Sequence, residues 1–492
     1  MKNWKRYLAL FLSVTMLALC LVGCGEIKKK DKDDEDDKDE GSSWQDDDSK
    51  VDQNKPVKIP AVSTDFDVDE PVEITFAHTM NAALQAELEE AIADFNRMYP
   101  NITVKHSFYG GWKDINGQIN TEITMDTQPN IAYCYPDHVA MYNMARAVVP
   151  LDELIASEKK IAGTGEVVGL TSEQRIDIIP SFYGEGRVYG DGWMYTMPMS
   201  KSSDVLYYNK TFFDRHGLKA PTTWDELWAV CAQIKAIDPT CYPLGVADEP
   251  NWFINLCQQY GAPYLSADNG GQYLFDNADA KALMKTLHTN YRRGYFTTSS
   301  LLGGYTSNLF TETTNQKSYM CIGSSGGAKH HMSNMDTPDG SYAFEVGVVA
   351  LPQYIPGNGQ TLSQGPSLCV LRGTKTTDQQ ILASWLFVKF LCTDVQFQTR
   401  FSMASGYMPV IQSALQHSTY STWLSMGNGF DGLVARCVNV GLKNRSTYFV
   451  APAFNGSSKA RDVMGGLLVD CLQCSTDAQM DAAFKEAVAD CQ

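Results

Sequence analysis

Two rings flank a glycine pair in Tyr109-Gly110-Gly111-Trp112, and rings carried on a flexed turn beside a strand end can stack on a flat ligand face. The competing reading of Trp112 is an indole packed into its own domain. Tyr135-Pro136-Asp137 follows the apolar Ile131-Ala132-Tyr133-Cys134. That puts Asp137 at a strand end, where its carboxylate can accept hydrogen bonds from a ligand or cap a helix. Ser200-Lys201-Ser202-Ser203 offers hydroxyls, with Ser202 in the middle, although turn serines serve purely local roles equally well. Gly323-Ser324-Ser325-Gly326-Gly327 follows an apolar strand and opens a helix. Its amides and the Ser324 hydroxyl can hold hydroxyl or phosphate oxygens, or simply make a tight turn. Trp252, next to Asn251, reads equally as site wall or core. Groups of this kind hold a ligand without reacting with it. The chain has no HExxH, and the Gly-Ser turn lacks the Lys-Ser/Thr ending of a P-loop. Glu185 and Asp191, in the glycine-rich stretch 184–192, could act as the paired carboxylates of a glycosidase, with a polar loop as the plainer account.

These residues need a scaffold of alternating strands and helices. Val72-Glu73-Ile74-Thr75-Phe76 alternates with a period of two, and Leu84, Leu88, Ile92, Phe95 and Met98 then recur at helical spacing until Pro100. Ile102-Thr103-Val104 supplies the next strand and closes a βαβ unit. Val205-Leu206-Tyr207-Tyr208 reads as a strand. Thr223 and Glu226 form a capping box at the start of a helix that continues through Leu227, Cys231, Ile234 and Ile237. Tyr319-Met320-Cys321-Ile322 and Val346-Gly347-Val348-Val349 read as buried strands, and residues 381–391 as an apolar helix. The alternation predicts α/β lobes with largely parallel sheets.

The N-terminus predicts export. Met1-Lys2-Asn3-Trp4-Lys5-Arg6 is basic and residues 7–22 are nearly all apolar, the two regions of a secretory signal. Leu21-Val22-Gly23-Cys24 resembles a bacterial lipobox, which implies cleavage before Cys24 and a lipid on its sulfur. Acyl chains contribute about 0.8 kcal/mol per buried methylene, enough to hold a domain on a membrane when two or three are present. Residues 26–50 carry twelve acidic side chains and six lysines, a net charge of −6. So polar a stretch predicts a disordered tether rather than a metal site. The whole chain is acidic, at −17, which argues against a nucleic-acid partner. Thirteen cysteines, less Cys20 in the signal and Cys24, leave eleven, an odd number that does not suggest a disulfide framework. The lone Cys471-Leu472-Gln473-Cys474 reads as helix packing, and neither a metal nor a cofactor is expected.

Several segments together resemble the family 1 extracellular solute-binding proteins of bacterial ABC importers. They are Phe76-Ala77-His78-Thr79-Met80, Met197-Pro198-Met199, Val205-Leu206-Tyr207-Tyr208-Asn209-Lys210, Pro221-Thr222-Thr223-Trp224-Asp225-Glu226-Leu227, Ile322-Gly323-Ser324-Ser325-Gly326, Val346-Gly347-Val348-Val349-Ala350-Leu351-Pro352 and Gly406-Tyr407-Met408-Pro409-Val410. Their order and spacing carry the likeness from about Glu73 to Arg461. The resemblance implies a two-lobe, periplasmic-binding-protein-like α/β fold with an inter-lobe ligand cleft and hinge crossovers near 197–204, 344–349 and 391–395. The corresponding division is a signal at 1–23, a tether at 24–70, a first lobe at 71–200 and 346–393, and a second lobe at 201–345 and 394–492.

It further implies a monomeric, lipid-anchored, extracytoplasmic binding subunit that is not an enzyme. Such a subunit passes a small solute, expected to be a carbohydrate, to ABC permease subunits. Trp112 matches a ligand-contacting position. Tyr407 and Arg461 match positions that bind ligand in the glycerol-3-phosphate branch, which keeps glycerol-3-phosphate or a glycerophosphodiester as the alternative solute; a surface salt bridge is the other reading of Arg461. An adhesin or a secreted glycosidase would be the alternatives outside the family.

Overall fold

The computed structural model describes residues 61–312, 314, 317–332, 342–426 and 429–492. The signal at 1–23, Cys24 and the tether up to residue 60 lie outside the described residues. The end of the expected tether does not hang free. Val62, Phe66 and Val68 pack on the first hydrophobic core, and the Ser63 amide donates to Asp378.

Two five-stranded sheets organise the body. In the first, β1 (Val72–His78) pairs in parallel with β2 (Ile102–Phe108) and β3 (Ile131–Cys134). β4 (Met197–Pro198) closes the first sheet, and β5 (Asp204–Asn209) begins the second. Beside β5 stand β6 (Leu244–Val246), β7 (Phe296–Thr298), β8 (Met320–Ser324) and β9 (Val346–Ala350), in the order β9-β5-β8-β6-β7. A returning strand, β10 (Ser367–Val370), inserts between β3 and β4, antiparallel to both. Both sheets are therefore mixed rather than largely parallel. β5 is antiparallel to β8 and β9, whereas β8, β6 and β7 run parallel. A strand that returns from the other lobe is free of the right-handed βαβ rule that would otherwise fix its direction.

The helices follow their sequence signals. Asn81 caps α1 (Ala82–Met98), which buries Leu88, Ala91 and Phe95; α2 (Trp112–Thr124) and α3 (Pro136–Tyr142) follow β2 and β3. The Thr223–Glu226 capping box opens α4 (Trp224–Ile237), and Asp248 caps α5 (Glu249–Tyr260). The apolar α6 (Asp378–Thr393) is buried continuously from Ile381 to Cys392. It is followed by α7 (Val395–Ser405), α8 (Gly429–Asn444), α9 (Ser457–Gln473) and α10 (Asp477–Cys491).

Two lobe boundaries move relative to the sequence reading. Val346–Ala350, expected to return to the first lobe, pairs with β5 in the second sheet. The α7 helix, expected in the second lobe, lies on α1, where Arg400 meets Glu87, Glu90 and Asp94. The chain crosses between lobes at 199–203, at 351–366 and between α7 and α8, which packs on β9 and β5, so the second and third crossings fall later than 344–349 and 391–395. Repeated apolar segments announce strands and helices, but not the sheet they join. The first two crossings support each other: Ser202 and Gln364 exchange backbone hydrogen bonds of 2.8 and 2.9 Å, and Thr361–Leu362 of the second pairs in parallel with Tyr448–Phe449.

The eleven cysteines from Cys134 to Cys491 are free, and all but Cys474 are buried. Cys471 sits in the second core and Cys474 at its edge, as packing requires. Among the described residues no group of three or more His, Cys, Asp or Glu could hold a metal, and no helix is long and apolar enough to cross a membrane.

Candidate functional site: an aromatic wall and an ion pair between the lobes

Gly110 turns the chain at φ +77°, a conformation in which a Cβ would fall 2.6 Å from the Asp114 carboxylate. That carboxylate accepts the Gly111 amide at 2.8 Å and starts α2 with Trp112 as its first residue. The indole stacks on Tyr135, with centroids 4.2 Å apart and planes at 28°, and lies nearly parallel to Tyr133 at 6.1 Å. Tyr135 holds its position as the residue before Pro136, the first residue of α3. The Arg461 guanidinium, from α9 in the second lobe, sits 5.8 Å from the Tyr135 ring centre, within cation–π range. Tyr109, the other ring of the turn, donates to Glu122 of α2 at 3.0 Å.

Asp137 follows Tyr135 by two residues and is 4% exposed. Its Oδ2 accepts Arg461 Nε at 2.7 Å, an ion pair from one lobe to the other. A second Arg461 nitrogen donates to Asn251 of α5. Asn251 is itself held by Asp248, which accepts its amide at 2.9 Å and its side chain at 3.1 Å. Burial pushes the Asp137 carboxyl up, but the charge and hydrogen bond of Arg461 outweigh it and hold the group below the ordinary carboxylate range. For His138 burial prevails, lowering its pKa to about 4 against the pull of Asp137. The space enclosed by Tyr135, Asp137, Asn251, Ser363, Gln364 and Arg461 is about 10 Å³, room for about one water. Asp137 and Arg461 join the two lobes across this space.

Trp112, Asp137 and Arg461 thus converge through Tyr135. Tyr407 joins them from the first lobe. After burial, its hydroxyl is the next cause that pushes the phenols of Tyr133 and Tyr135 up. The Tyr407 ring lies against Gly326 of the second lobe, where a Cβ would come within 2.8 Å of the ring. That contact fills the Gly323–Gly327 turn with a protein side chain. Ser324 caps the short 3-10 helix Ser325–His330, accepting the Gly326 amide at 3.2 Å, and its carbonyl accepts Tyr207. Ser202 lies in the first crossing, where its backbone holds Gln364 in the lining. Trp252 is fully buried in the second core, 5.3 Å from Phe296 and 6.2 Å from Trp224; its neighbour Asn251 is the residue that reaches the site. Arg461 is partly buried between the lobes rather than in a surface salt bridge.

The residues that sequence reasoning missed are Tyr135, Asn251, Ser363 and Gln364. For Tyr135 the signal was present, since a proline immediately after a strand fixes the residue before it as a helix cap. The spacing from Asp248 to Asn251 marks a cap but not its outward contact. Ser363 and Gln364 sit in a crossing that has no local pattern. Glu185, considered above as a glycosidase acid, is 3% exposed and pairs with Lys201 at 2.5 Å. Asp191 is turned away to Tyr195 and the Trp193 amide.

Comparisons with known proteins agree with this architecture. The sequence is 25% identical over 327 residues to the multiple sugar-binding protein of Streptococcus mutans, covering 63% of this chain and 69% of that protein. The fold matches the Listeria monocytogenes substrate-binding protein Lmo0181 in complex with cycloalternan at TM-score 0.67 and 15% identity, over 86% of this chain and 98% of that one. It matches UgpB from Mycobacterium tuberculosis in complex with glycerophosphocholine at TM-score 0.65 and 17% identity, over 84% and 96%. The profile described as bacterial extracellular solute-binding protein fits residues 90–427, more than half of the sequence. With two lobes, three crossings and a cleft between them, the chain belongs to the bacterial extracellular solute-binding protein family.

Proposed function

We propose that this protein captures a carbohydrate between its lobes and delivers it to an ABC permease from a lipid anchor at Cys24, acting as a monomer. The observation that carries the solute class is Tyr135, backed by the stacked Trp112, in the cleft lining with Asp137, Asn251 and Gln364. A sugar presents an apolar ring face to aromatic side chains and hydroxyls to polar ones. The name of the Streptococcus mutans relative and the cycloalternan held by the Listeria protein support a carbohydrate. Glycerol-3-phosphate or a glycerophosphodiester is the second reading, favoured by the Arg461 guanidinium in the cleft and by the UgpB complex. Membership of the family supports delivery to a permease.

A thermal-shift screen of sugars, sn-glycerol 3-phosphate, glycerophosphocholine and peptides tests the reading, because a ligand that binds only the native state raises the melting temperature by mass action. A shift with a neutral sugar is the expected result. Shifts confined to peptides would refute the solute assignment. Labelling with a radioactive fatty acid should mark the wild-type protein and not Cys24→Ala.

A further inference from the structure

The carbohydrate reading leaves open what excludes charged solutes from a cleft that contains an arginine. The Arg461 charge is already matched. Nε binds Asp137 at 2.7 Å, a second nitrogen binds Asn251, and the Asp248 carboxylate that holds Asn251 adds further negative charge nearby. Asp137, in contrast, is used only in part. Its Oδ2 takes the guanidinium, while its Oδ1 is buried in the lining of the cleft with no hydrogen-bond partner. A buried carboxylate oxygen left without a donor is costly, so the position favours any ligand that brings one. A sugar hydroxyl brings an O–H. A phosphate dianion brings only acceptors and meets a like charge.

We propose that Asp137 sets the charge of the solutes this cleft accepts, its unpartnered oxygen taking a hydroxyl and its negative charge cancelling Arg461 so that phosphate esters are refused. This deepens the carbohydrate reading above and rests on the same cleft. Replacing the carboxylate by an amide of the same shape leaves Arg461 uncompensated, and charge-assisted contacts to a desolvated arginine are among the strongest a site can offer.

The test is calorimetry with sn-glycerol 3-phosphate and with a panel of neutral oligosaccharides on wild type, Asp137→Asn and Asp137→Asn/Arg461→Met. Wild type should show no binding of the phosphate ester. Asp137→Asn should bind it at least about tenfold more tightly than wild type, and the double variant should lose that gain. Asp137→Ser serves the same purpose if the amide variant does not fold. Tight phosphate binding by wild type, or no gain in either folded variant, overturns the proposal. The sugar panel keeps the two readings apart. A gain of phosphate binding in Asp137→Asn without any sugar bound by wild type leaves the charge filter standing and removes the carbohydrate assignment. Sugar binding by wild type without a phosphate gain in the variants does the reverse.

Discussion

Two ion pairs join separate parts of the chain, and they are finished differently. Lys201 and Glu185 meet in the hinge region at 1% and 3% exposure. The lysine also donates to Ser367 at 3.1 Å, and the other oxygen of Glu185 accepts the Ser363 hydroxyl, so the first crossing, the second crossing and β10 are fastened to one buried charge pair. Asp137 and Arg461 bridge the two lobes across the cleft, and there one carboxylate oxygen is left without a partner. A buried pair has to satisfy its remaining lone pairs to offset desolvation. Where that requirement is met the pair is structural; where one bond is missing, a ligand can supply it.

Breaking the hinge pair should give the largest effect. Lys201→Met leaves Glu185 buried and unpaired, and should destabilise the protein by about 3 to 5 kcal/mol. Lys201→Met/Glu185→Leu should recover much of that loss, because the uncompensated charge is gone. Urea unfolding of the two variants decides it; equal losses would show that the pair matters through packing alone.

A more gradual effect separates the two regions by pH. His138, buried against Trp112 and Tyr135, has a folded pKa of about 4 against 6.5 unfolded, so it adds stability that is lost as the pH falls from about 6.5 to 4. Asp204, at the start of β5 beside the hinge, is raised to about 7 by burial and then by Asp248. Its folded form holds the proton more tightly, so stability is lost as the pH rises from about 4 to 7. The two slopes oppose each other, each at most about 1.4 kcal/mol per pH unit. Melting curves should therefore show His138→Gln gaining relative stability in acid and Asp204→Asn losing it. Parallel curves for both variants would contradict the assignment.

The same contrast explains what the sequence could disclose. The Thr223–Glu226 capping box, the apolar α6 and the ring-bearing turn at Trp112 are local patterns, and each forms where its pattern lies. Partners distant in the chain leave no such mark. Glu185 looks like one acid of a polar loop because Ser363 is 178 residues away. Trp252 and Asn251 are neighbours on one helix, and only the packing of that helix against α9 turns one into the core and the other toward Arg461. The assignment of Val346–Ala350 to the wrong lobe has the same origin, since an apolar strand carries no label for its sheet.

The central claim is that the Trp112–Tyr135 wall holds the solute, and calorimetry of Trp112→Ala with the best sugar from the screen tests it most directly. The account expects binding weaker by about 1 to 3 kcal/mol, by analogy with the stacking of flat rings on aromatic side chains, in a variant whose melting temperature shows it folded. Wild-type affinity in folded Trp112→Ala would contradict it and place the solute elsewhere.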